Sequence, residues 1–485
     1  MRRLRFFRPF NALLLPAPGS SAIAWMGSIL LVPFLAAAFI GSCSPPPPSG
    51  PAPGVRDPGV RGGPAGAGGA LPGLTADETA FFEDGLARFL EVDGVSEGLG
   101  PHFNSNSCVS CHAQPKPGGT SPAVNPQAAV ATLEGARNIL PWFITSDGPV
   151  RESRFKMNAD RTPDGGVHAV FTISGRSDAP GCNAVQPYFL PAGDPHTGKG
   201  GNPNIIFRIP TPVFGGGLIE AITDETIIAN MRANPSQKSG WGIAGHPNAH
   251  ISGTLNTSGN DGTVTRFGWK AQNKSLLIFS GEAYNVEMGV TNQLFPQERG
   301  DTTGCLFNAT PEDGVHFSAT SNAGVLSDVE SFAIFMRLLA PPTPAPDSAN
   351  TVRGRGLFAS TGCTGCHTPS MTTGPMISIG SSKNPSGALS GQVAKLYSDL
   401  LVHNMGEGLS DGIAQGGAGP DEFRTAPLWG VGQRIFLLHD GRTKDMVQAI
   451  EAHRSRGSEA NQIIERFNRL SAQEQQDIVD FLRSL

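Results

Sequence analysis

The 485-residue sequence predicts a mainly α-helical protein built from two similar units, with an irregular insertion containing short β-strands in the first. The pentapeptide Cys-x-x-Cys-His occurs twice, at residues 108–112 and 363–367. Each copy is followed by a similar landmark, at 207–217 in the first unit and at 423–432 in the second, and then by a predicted helix that closes the unit. The same order of features in both halves indicates an internal duplication.

Residues 1–43 are predicted to be an export signal. Four arginines precede an apolar run from residue 22 to residue 40, and the run ends in Ile-Gly-Ser-Cys at 40–43. This ending is similar to a bacterial lipobox, so Cys43 is the predicted lipidation site and the mature chain a predicted membrane-anchored lipoprotein. Ser44 after the cysteine is typical of sorting to the outer membrane. An uncleaved membrane anchor and an ordinary cleaved signal are the alternatives.

Residues 44–73 form a Pro/Gly-rich segment that cannot build a core, and they are predicted to be a flexible tether. The whole chain contains 62 glycines and 41 prolines, so much of it must be loop or turn. The formal net charge is −5, and no block rich in lysine and arginine follows the signal. This composition excludes nucleic acid as a partner.

The remaining chain is divided into a first domain at 74–345 and a second domain at 346–485. A proline-rich linker at 341–346 separates them. The two pentapeptides fall in different domains, which predicts that each domain holds its own functional site.

Three predicted helices have a serine or threonine N-cap with a glutamate three residues later, the pattern of a capping box. They are the helix 75–92 near the start of the first domain and the closing helices 326–339 and 470–485. Their apolar residues recur at helical spacing, which suits packing on a core. The runs 167–173 and 263–269 in the first domain are bounded by glycine and partly alternating, so they predict small hairpins.

The spacing Cys-x-x-Cys-His is typical of covalent haem attachment, in which both thiols bind vinyl groups and the histidine becomes an iron ligand. Two such motifs predict a c-type cytochrome with two haems. Because bacteria attach haem to this motif outside the cytoplasm, we expect the protein to face the periplasm. The predicted haem-binding residues are Cys108, Cys111, His112, Cys363, Cys366 and His367, with His112 and His367 as iron ligands.

The other two cysteines of the mature chain are Cys182 and Cys305. In an oxidising compartment they most simply form a disulfide. Two buried free thiols are the alternative.

Four further motifs are specific enough to indicate a family. They are Phe-Asn-Ser-Asn-Ser at 103–107, Gly-Arg-Ser-Asp-Ala-Pro-Gly-Cys at 175–182, Asn-Val-Glu-Met-Gly-Val at 285–290 and Phe-Leu-Leu-His-Asp-Gly-Arg at 436–442. With them, residues 74–485 resemble the bacterial di-haem oxidoreductases described as peroxidases and also called predicted thiol oxidoreductases. They are more distantly similar to the dihaem cytochrome c peroxidases. The resemblance implies two cytochrome c-like haem domains and, by family analogy only, Ca²⁺ between them.

The resemblance also implies a distal ligand for the second haem. In dihaem peroxidases this ligand lies fourteen residues after the histidine of a similar Phe-His-Asp-Gly motif and is usually methionine. The fourteenth residue after His439 is His453, at the end of a predicted helix 443–453 that Thr443 would cap. A haem ligated by His367 and His453 would have a lower reduction potential than a His/Met haem.

Three alternatives remain open for the second haem. His453 could simply form a hydrogen bond near a helix end, and either Met405 or His403 could be the ligand instead. His439 itself is expected to orient the turn at 440–442.

In the first domain the resemblance points to Glu287. Dihaem peroxidases carry a similar Val-Glu-Met-Gly motif, whose glutamate lies over the open face of the peroxidatic haem. Carried over to this chain, Glu287 would accept a proton from bound hydrogen peroxide and return it to the leaving oxygen. The alternatives are an ordinary salt bridge for Glu287 and a haem closed by His168.

We therefore expect an exported dihaem peroxidase that reduces hydrogen peroxide at its first haem, with electrons from a redox partner protein passing through the second haem. Related enzymes place a tryptophan between the haems, and Trp142 and Trp429 are the candidates. An electron-transfer cytochrome without enzymatic activity and a haem dioxygenase are the alternative functions.

Overall fold

The structure is a computed structural model of the chain. It describes residues 50–130, 132–133, 137–155, 166–186, 189, 205–249, 264–300, 302–377 and 385–485. The predicted export signal at 1–43, with Cys43, lies outside the described residues. Within the described part of the chain, no helix is both long and apolar enough to span a membrane.

Twelve α-helices are described, and together with short strands they make the fold mainly helical. The helices of residues 74–345 are α1 (Ala76–Phe89), α2 (Cys108–Cys111), α3 (Gln127–Val130), α4 (Gly216–Ala221), α5 (Asp224–Arg232), α6 (Pro235–Trp241), α7 (Leu276–Met288) and α8 (Asp328–Leu338). Those of residues 346–485 are α9 (Ala349–Thr361), α10 (Met446–Glu451), α11 (Asn461–Asn468) and α12 (Ala472–Ser484). Short 3₁₀ turns lie at Ala323–Val325, Cys363–Gly365 and Val431–Gln433.

The three predicted capping boxes are confirmed. Thr75, Ser327 and Ser471 each accept a hydrogen bond from the backbone of the glutamate three residues later, whose side chain accepts one in return. Helix α1 packs on α8, and α9 packs on α12, so in each half the helix before the pentapeptide lies against the helix that closes the half. These two helix pairs form the core beside each pentapeptide.

Two predicted helices are longer than the observed ones. Helix α1 ends at Phe89 instead of residue 92. The predicted helix 443–453 is only α10, because Asp445 rather than Thr443 is its N-cap and accepts a hydrogen bond from the Gln448 N–H. The histidine at 453 therefore follows the helix instead of ending it.

The strands are short and pair across long stretches of sequence. They are β1 (His102–Phe103), β2 (Glu152–Phe155), β3 (Val167–His168), β4 (Phe171–Thr172), β5 (Ile205–Arg208), β6 (Met371–Thr372), β7 (Val393–Ala394), β8 (Val402–Asn404) and β9 (Glu422–Arg424). The antiparallel sheets are β1-β4, β3-β2-β5, β6-β7 and β8-β9.

The predicted hairpin at 167–173 is wrong, because β3 pairs with β2 whereas β4 pairs with β1. Around 264–269 the structure has only isolated bridges, from Thr265 to Asn248 and from Phe267 to Asn273. Residues 169–173 and 264–267 are buried. Except for the bridge from Phe267 to nearby Asn273, their pairing partners come from distant parts of the sequence.

Residues 50–73 do not behave as the flexible tether that their composition predicts. The Asp57 carboxylate pairs with the Arg483 guanidinium at 2.5 Å, and both side chains are 4% exposed. The Arg61 N–H donates to the Gly432 carbonyl at 2.8 Å, and the Leu71 N–H donates to the Leu338 carbonyl at 2.7 Å. Hydrogen bonds and an ion pair to both halves of the body hold this segment in place, which composition alone could not reveal.

Candidate functional site

A first cavity lies beside the first pentapeptide. Helix α2 places Cys108 and Cys111 on its wall, and His112 follows as the C-cap of that helix. The last two turns of α7 supply Glu282 and Glu287 to the same cavity. The structure thus brings together the first pentapeptide and the predicted catalytic acid.

The His112 ring is fixed by one hydrogen bond. Its Nδ1–H donates to the Gly119 carbonyl at 2.9 Å, which leaves Nε2 without a proton and available to a metal ion. Burial lowers the pKa of His112 to about 4, so the ring is neutral at physiological pH. A neutral, oriented imidazole is the form that binds iron.

The position of Glu287 depends on how α7 ends. Gly289 is the C-cap and has a φ of 78°, and a Cβ there would lie 2.7 Å from the His102 carbonyl oxygen. The Asn104 N–H donates to the Glu287 carbonyl at 2.6 Å. The glycine of Glu-Met-Gly therefore allows the motif at 103–107 to close on the end of α7 and fix the backbone of the acid.

The carboxyl group of Glu287 is protonated more readily than an ordinary glutamate. Burial raises the pKa of Glu287 to about 8, and the negative charges of Glu152 and Glu282 add to the effect. An acid with a pKa near neutrality can both accept and donate a proton, as acid–base catalysis requires.

Three arginines, two of them buried, give the first cavity positive charge on another part of its wall. Arg151, Arg154 and Arg208 line it. Among the described residues, the Nε atoms of Arg151 and Arg154 are buried and have no hydrogen-bond partner. Such donors suit the carboxylates of an anionic ligand.

A second cavity lies beside the second pentapeptide, and its lining includes Cys363, Cys366 and His367. The His367 Nδ1–H donates to the Tyr397 carbonyl at 3.0 Å, so this ring also leaves its Nε2 available. Burial lowers the pKa of His367 to about 4. Arg424 and Arg434 line the cavity, and burial lowers the pKa of each to about 10.

His453 lines the same cavity as His367. Its Nδ1–H donates to the Ala449 carbonyl at 2.8 Å, and burial lowers its pKa. The nearby His453 also contributes to the lowered pKa of His367. Beside His367 the second cavity therefore offers another imidazole oriented through Nδ1, whereas the first offers the carboxyl group of Glu287 beside His112. Glu459 also lines the second cavity, but it is paired with His403.

The two alternative ligands of the second haem, His403 and Met405, differ in whether they have an atom free to bind iron. His403 has both ring nitrogens engaged, Nε2 with Asp399 at 3.0 Å and Nδ1 with Glu459 at 2.8 Å, so it has no free nitrogen for iron. Met405 lines the cavity and remains an alternative.

His439 lies at the second cavity itself, whereas the sequence predicted only that it orients the turn at 440–442. It lines the second cavity, and its ring stacks on that of Phe423 with centroids 4.3 Å apart. The adjacent turn is held by Asp440, which accepts hydrogen bonds from the backbone and side chain of Arg442.

Trp269 is a residue that sequence reasoning missed, and it lines both cavities. Its Nε1–H donates to the Ile209 carbonyl at 2.9 Å. The predicted candidates lie elsewhere, since Trp142 is 59% exposed and Trp429 is buried against Gly215. No spacing in the sequence marks Trp269. The repeated Phe-Arg landmark, in contrast, could have identified the cavity arginines.

The sequence model of the family described as "Di-haem oxidoreductase, putative peroxidase" matches residues 202–485. The chain belongs to this family. The predicted membership is therefore confirmed. No curated protein matches the chain.

Three solved structures are distantly similar to this di-haem oxidoreductase. Hydrazine synthase of Kuenenia stuttgartiensis has 16% identity over 49% of this chain and 76% of its own, with a TM-score of 0.24. The diheme peroxidase BthA of Burkholderia thailandensis has 15% identity over 45% and 65%, with a TM-score of 0.27. A MauG-like protein associated with microbial copper homeostasis has 18% identity over 35% and 55%, with a TM-score of 0.23. The chain spans less than two thirds of the last two proteins.

Both cavities of the di-haem oxidoreductase fit a haem. Each has a pair of cysteines and an oriented histidine on its wall, and each has buried arginines suited to propionate groups. The residues that would hold the first haem are Cys108, Cys111 and His112, and those for the second are Cys363, Cys366, His367 and His453.

The other predicted residues lie away from the two pentapeptides in the sequence. Cys182 and Cys305 are joined in a disulfide with a Cα–Cα distance of 4.6 Å. The backbone of His168 lies in β3, and its side chain lies outside the description. Among the described residues, no group of three or more His, Cys, Asp and Glu side chains could hold a metal ion, so Ca²⁺ stays an expectation from the family.

Proposed function

We propose that this di-haem oxidoreductase is a peroxidase that reduces hydrogen peroxide in its first cavity and receives electrons through its second. The observation that carries the proposal is the difference between the cavities. The first combines His112 with the acid Glu287, and the second contains the imidazoles of His367 and His453. A haem held by one histidine beside an acid would suit catalysis, whereas a haem held by two histidines would suit electron transfer.

Each haem would be attached through its two cysteines. The haem iron held by His112 would supply the redox-active Lewis acid to which peroxide binds. Glu287 supplies the proton chemistry. Its carboxylate would accept a proton from peroxide held in the first cavity and would return that proton to the departing oxygen. With two electrons and two protons taken up, one peroxide yields two waters.

Trp269 offers a route between the two sites, because its side chain lines both cavities. The hydrogen bond from Nε1 to Ile209 fixes the indole plane. Replacement with phenylalanine removes this hydrogen bond and the more easily oxidised indole while keeping an aromatic ring. The Trp269→Phe variant should slow electron transfer between the haems.

Export to the periplasm and anchoring through acylated Cys43 remain part of the proposal, as does a redox partner protein. The lipobox-like sequence at 40–43 supports them. Mass spectrometry of the mature N-terminus checks the lipid. A Cys43→Ala variant should appear in the soluble fraction, and a variant that stays with the membrane would contradict the anchor.

The visible and electron paramagnetic resonance spectra of the purified ferric protein test the core of the proposal. We expect one high-spin and one low-spin haem signal, with the high-spin signal lost on addition of peroxide. Two low-spin signals that peroxide does not alter would overturn the peroxidase and favour an electron-transfer cytochrome. Haem that stays with the polypeptide under denaturing conditions would support covalent attachment.

A further inference from the structure

Lys270 has the most enclosed ammonium group of the described structure outside the two sites. Its side chain is 0% exposed. Nζ donates hydrogen bonds to the backbone carbonyls of Gly419 at 2.8 Å, Pro420 at 3.3 Å and Glu422 at 2.8 Å. The carboxylate of Asp411 lies 3.3 Å from Nζ. Four oxygen atoms thus surround one cation.

The cage and the lysine come from different halves of the chain. All four oxygens belong to residues 411–422, whereas Lys270 follows Trp269 in a loop of the first half. The same loop is held at its backbone by Arg424, whose N–H donates to the Trp269 carbonyl at 2.9 Å and whose Nε donates to the Gly268 carbonyl at 3.0 Å. The ammonium therefore anchors the loop that carries the tryptophan lining both cavities.

The charge of Lys270 is compensated on several sides. The Asp411 carboxylate also pairs with Arg208 at 2.5 Å, and the Phe423 ring centroid lies 4.0 Å from Nζ. Burial lowers the pKa of Lys270 to about 8, while the Asp411 charge opposes this effect and the Arg208 charge adds to it. The group is thus mainly charged at neutral pH.

Carbonyl and carboxylate oxygens are the ligands that hard cations prefer in proteins. A lysine placed among them can do the same work without a metal ion, because its three N–H groups meet three carbonyl dipoles. Loss of the ammonium would leave Asp411 with Arg208 as its remaining cationic partner and would remove one donor from each of the three carbonyls. Buried polar groups that lose a partner in this way destabilise the fold.

We propose that the Lys270 ammonium is a built-in cation that fills an oxygen cage between the two halves of the chain and thereby positions Trp269 between the two cavities. Lys270 is a positioning residue of the electron route. The role of Trp269 rests on the proposed function, but the occupancy of the cage does not. Because the Lys270 ammonium occupies the cage, removal of Ca²⁺ with a chelator should not reproduce the fall in Tm caused by loss of Lys270.

The cage is tested on the holoprotein with Lys270→Met, which keeps the length of the side chain and removes its charge. The matched control is Lys395→Met at an exposed lysine. We expect Tm to fall by roughly 5 °C or more in Lys270→Met and to stay within error in the control. An unchanged Tm in Lys270→Met would overturn the proposal.

Chemical rescue keeps the test valid if the methionine variant fails to fold. Lys270→Ala removes the equivalent of n-propylammonium. When this ion is present during refolding or purification and in the assay buffer, it should restore most of the lost Tm. Tetramethylammonium, which has no N–H donor, is the control and should restore nothing. Equal effects of the two ions, or no rescue by either, would overturn the assignment of a cation cage.

The positioning role has its own readout, the rate at which an electron delivered to the second haem by flash reduction reaches the first. We expect this rate to fall at least about tenfold in Lys270→Met, the size of a 1.4 kcal/mol change in barrier. A lowered Tm with an unchanged rate would overturn the positioning of Trp269. If Trp269→Phe itself leaves the rate unchanged, the proposed electron route fails, whereas the thermal measurements still decide the cage.

Discussion

The proton chemistry assigned to Glu287 predicts a specific dependence of peroxide reduction on pH. Burial and the charges of Glu152 and Glu282 raise the pKa of Glu287 to about 8. The form that accepts a proton from peroxide is the carboxylate, which is populated above the pKa. The rate of the peroxide step should therefore rise with pH and level off above about pH 8.

The size of the effect follows from the titration of a single group. With a pKa of about 8, roughly one Glu287 in a hundred is ionised at pH 6 and about one in eleven at pH 7. The second-order rate constant should thus increase about tenfold between pH 6 and pH 7 and gain about another fivefold by pH 8. Glu287→Gln removes the proton acceptor and should cost about 10² to 10⁴ in rate.

The assay is stopped-flow measurement of the second-order rate constant for the reaction with peroxide, between pH 5.5 and about 9. This range brackets the pKa of Glu287. Glu152→Gln provides a matched control, because it removes the largest neighbouring charge that raises the pKa of Glu287 and leaves the acid in place. We expect the profile of this control to move to lower pH. A pH-independent rate in the wild-type protein, or a Glu287→Gln variant with the same rate and profile, would refute the assignment.

Three further predictions concern stability and the second cavity. Replacement of Cys182 and Cys305 by serine removes a cross-link between residues 123 positions apart and should lower the free energy of unfolding by about 5 kcal/mol. Chemical denaturation measures this loss, and an unchanged midpoint would contradict the prediction. His453→Met should raise the reduction potential of the second haem in a potentiometric titration, and an unaltered potential would point to Met405 as the ligand. Asp57→Asn leaves buried Arg483 without its carboxylate partner and should lower the free energy of unfolding by about 3 kcal/mol in the same denaturation assay. An unchanged free energy of unfolding would mean that residues 50–73 do not stabilise the body.

The parts of the fold that local chemistry determines were predictable from the sequence. The N-cap residues Thr75, Ser327 and Ser471 mark helix starts because the bonds involved lie within four residues of each other. The pentapeptides likewise carry their ligands at fixed spacing. The positions of Glu287 and His453 came from resemblance to known motifs, and the structure places each on a cavity with the corresponding pentapeptide.

The features that depend on distant partners were not predictable. The segment that contains Asp57 has the composition of a free linker, and only its contacts with Arg483 and Gly432 show that it lies on the body. Trp269 and Lys270 follow each other in a run that reads as a strand, yet one side chain lines two cavities and the other enters a cage built by residues 411–422. Nothing within the local sequence encodes such partners.

The unequal lengths of the two halves suggest why these residues lie where they do. In the first half Leu326 follows Phe207 by 119 positions, whereas in the second Leu470 follows Phe423 by 47. The extra chain includes the loop with Trp269 and Lys270 and also Asn248, whose side-chain amide donates to the Gln415 carbonyl at 2.9 Å. A second contact made by the first half, between Arg208 and Asp411, joins the landmark strand of that half to the same cage. The added sequence therefore supplies contacts between the halves, and two haem sites coupled in this way can differ in chemistry while acting as one electron-transfer unit.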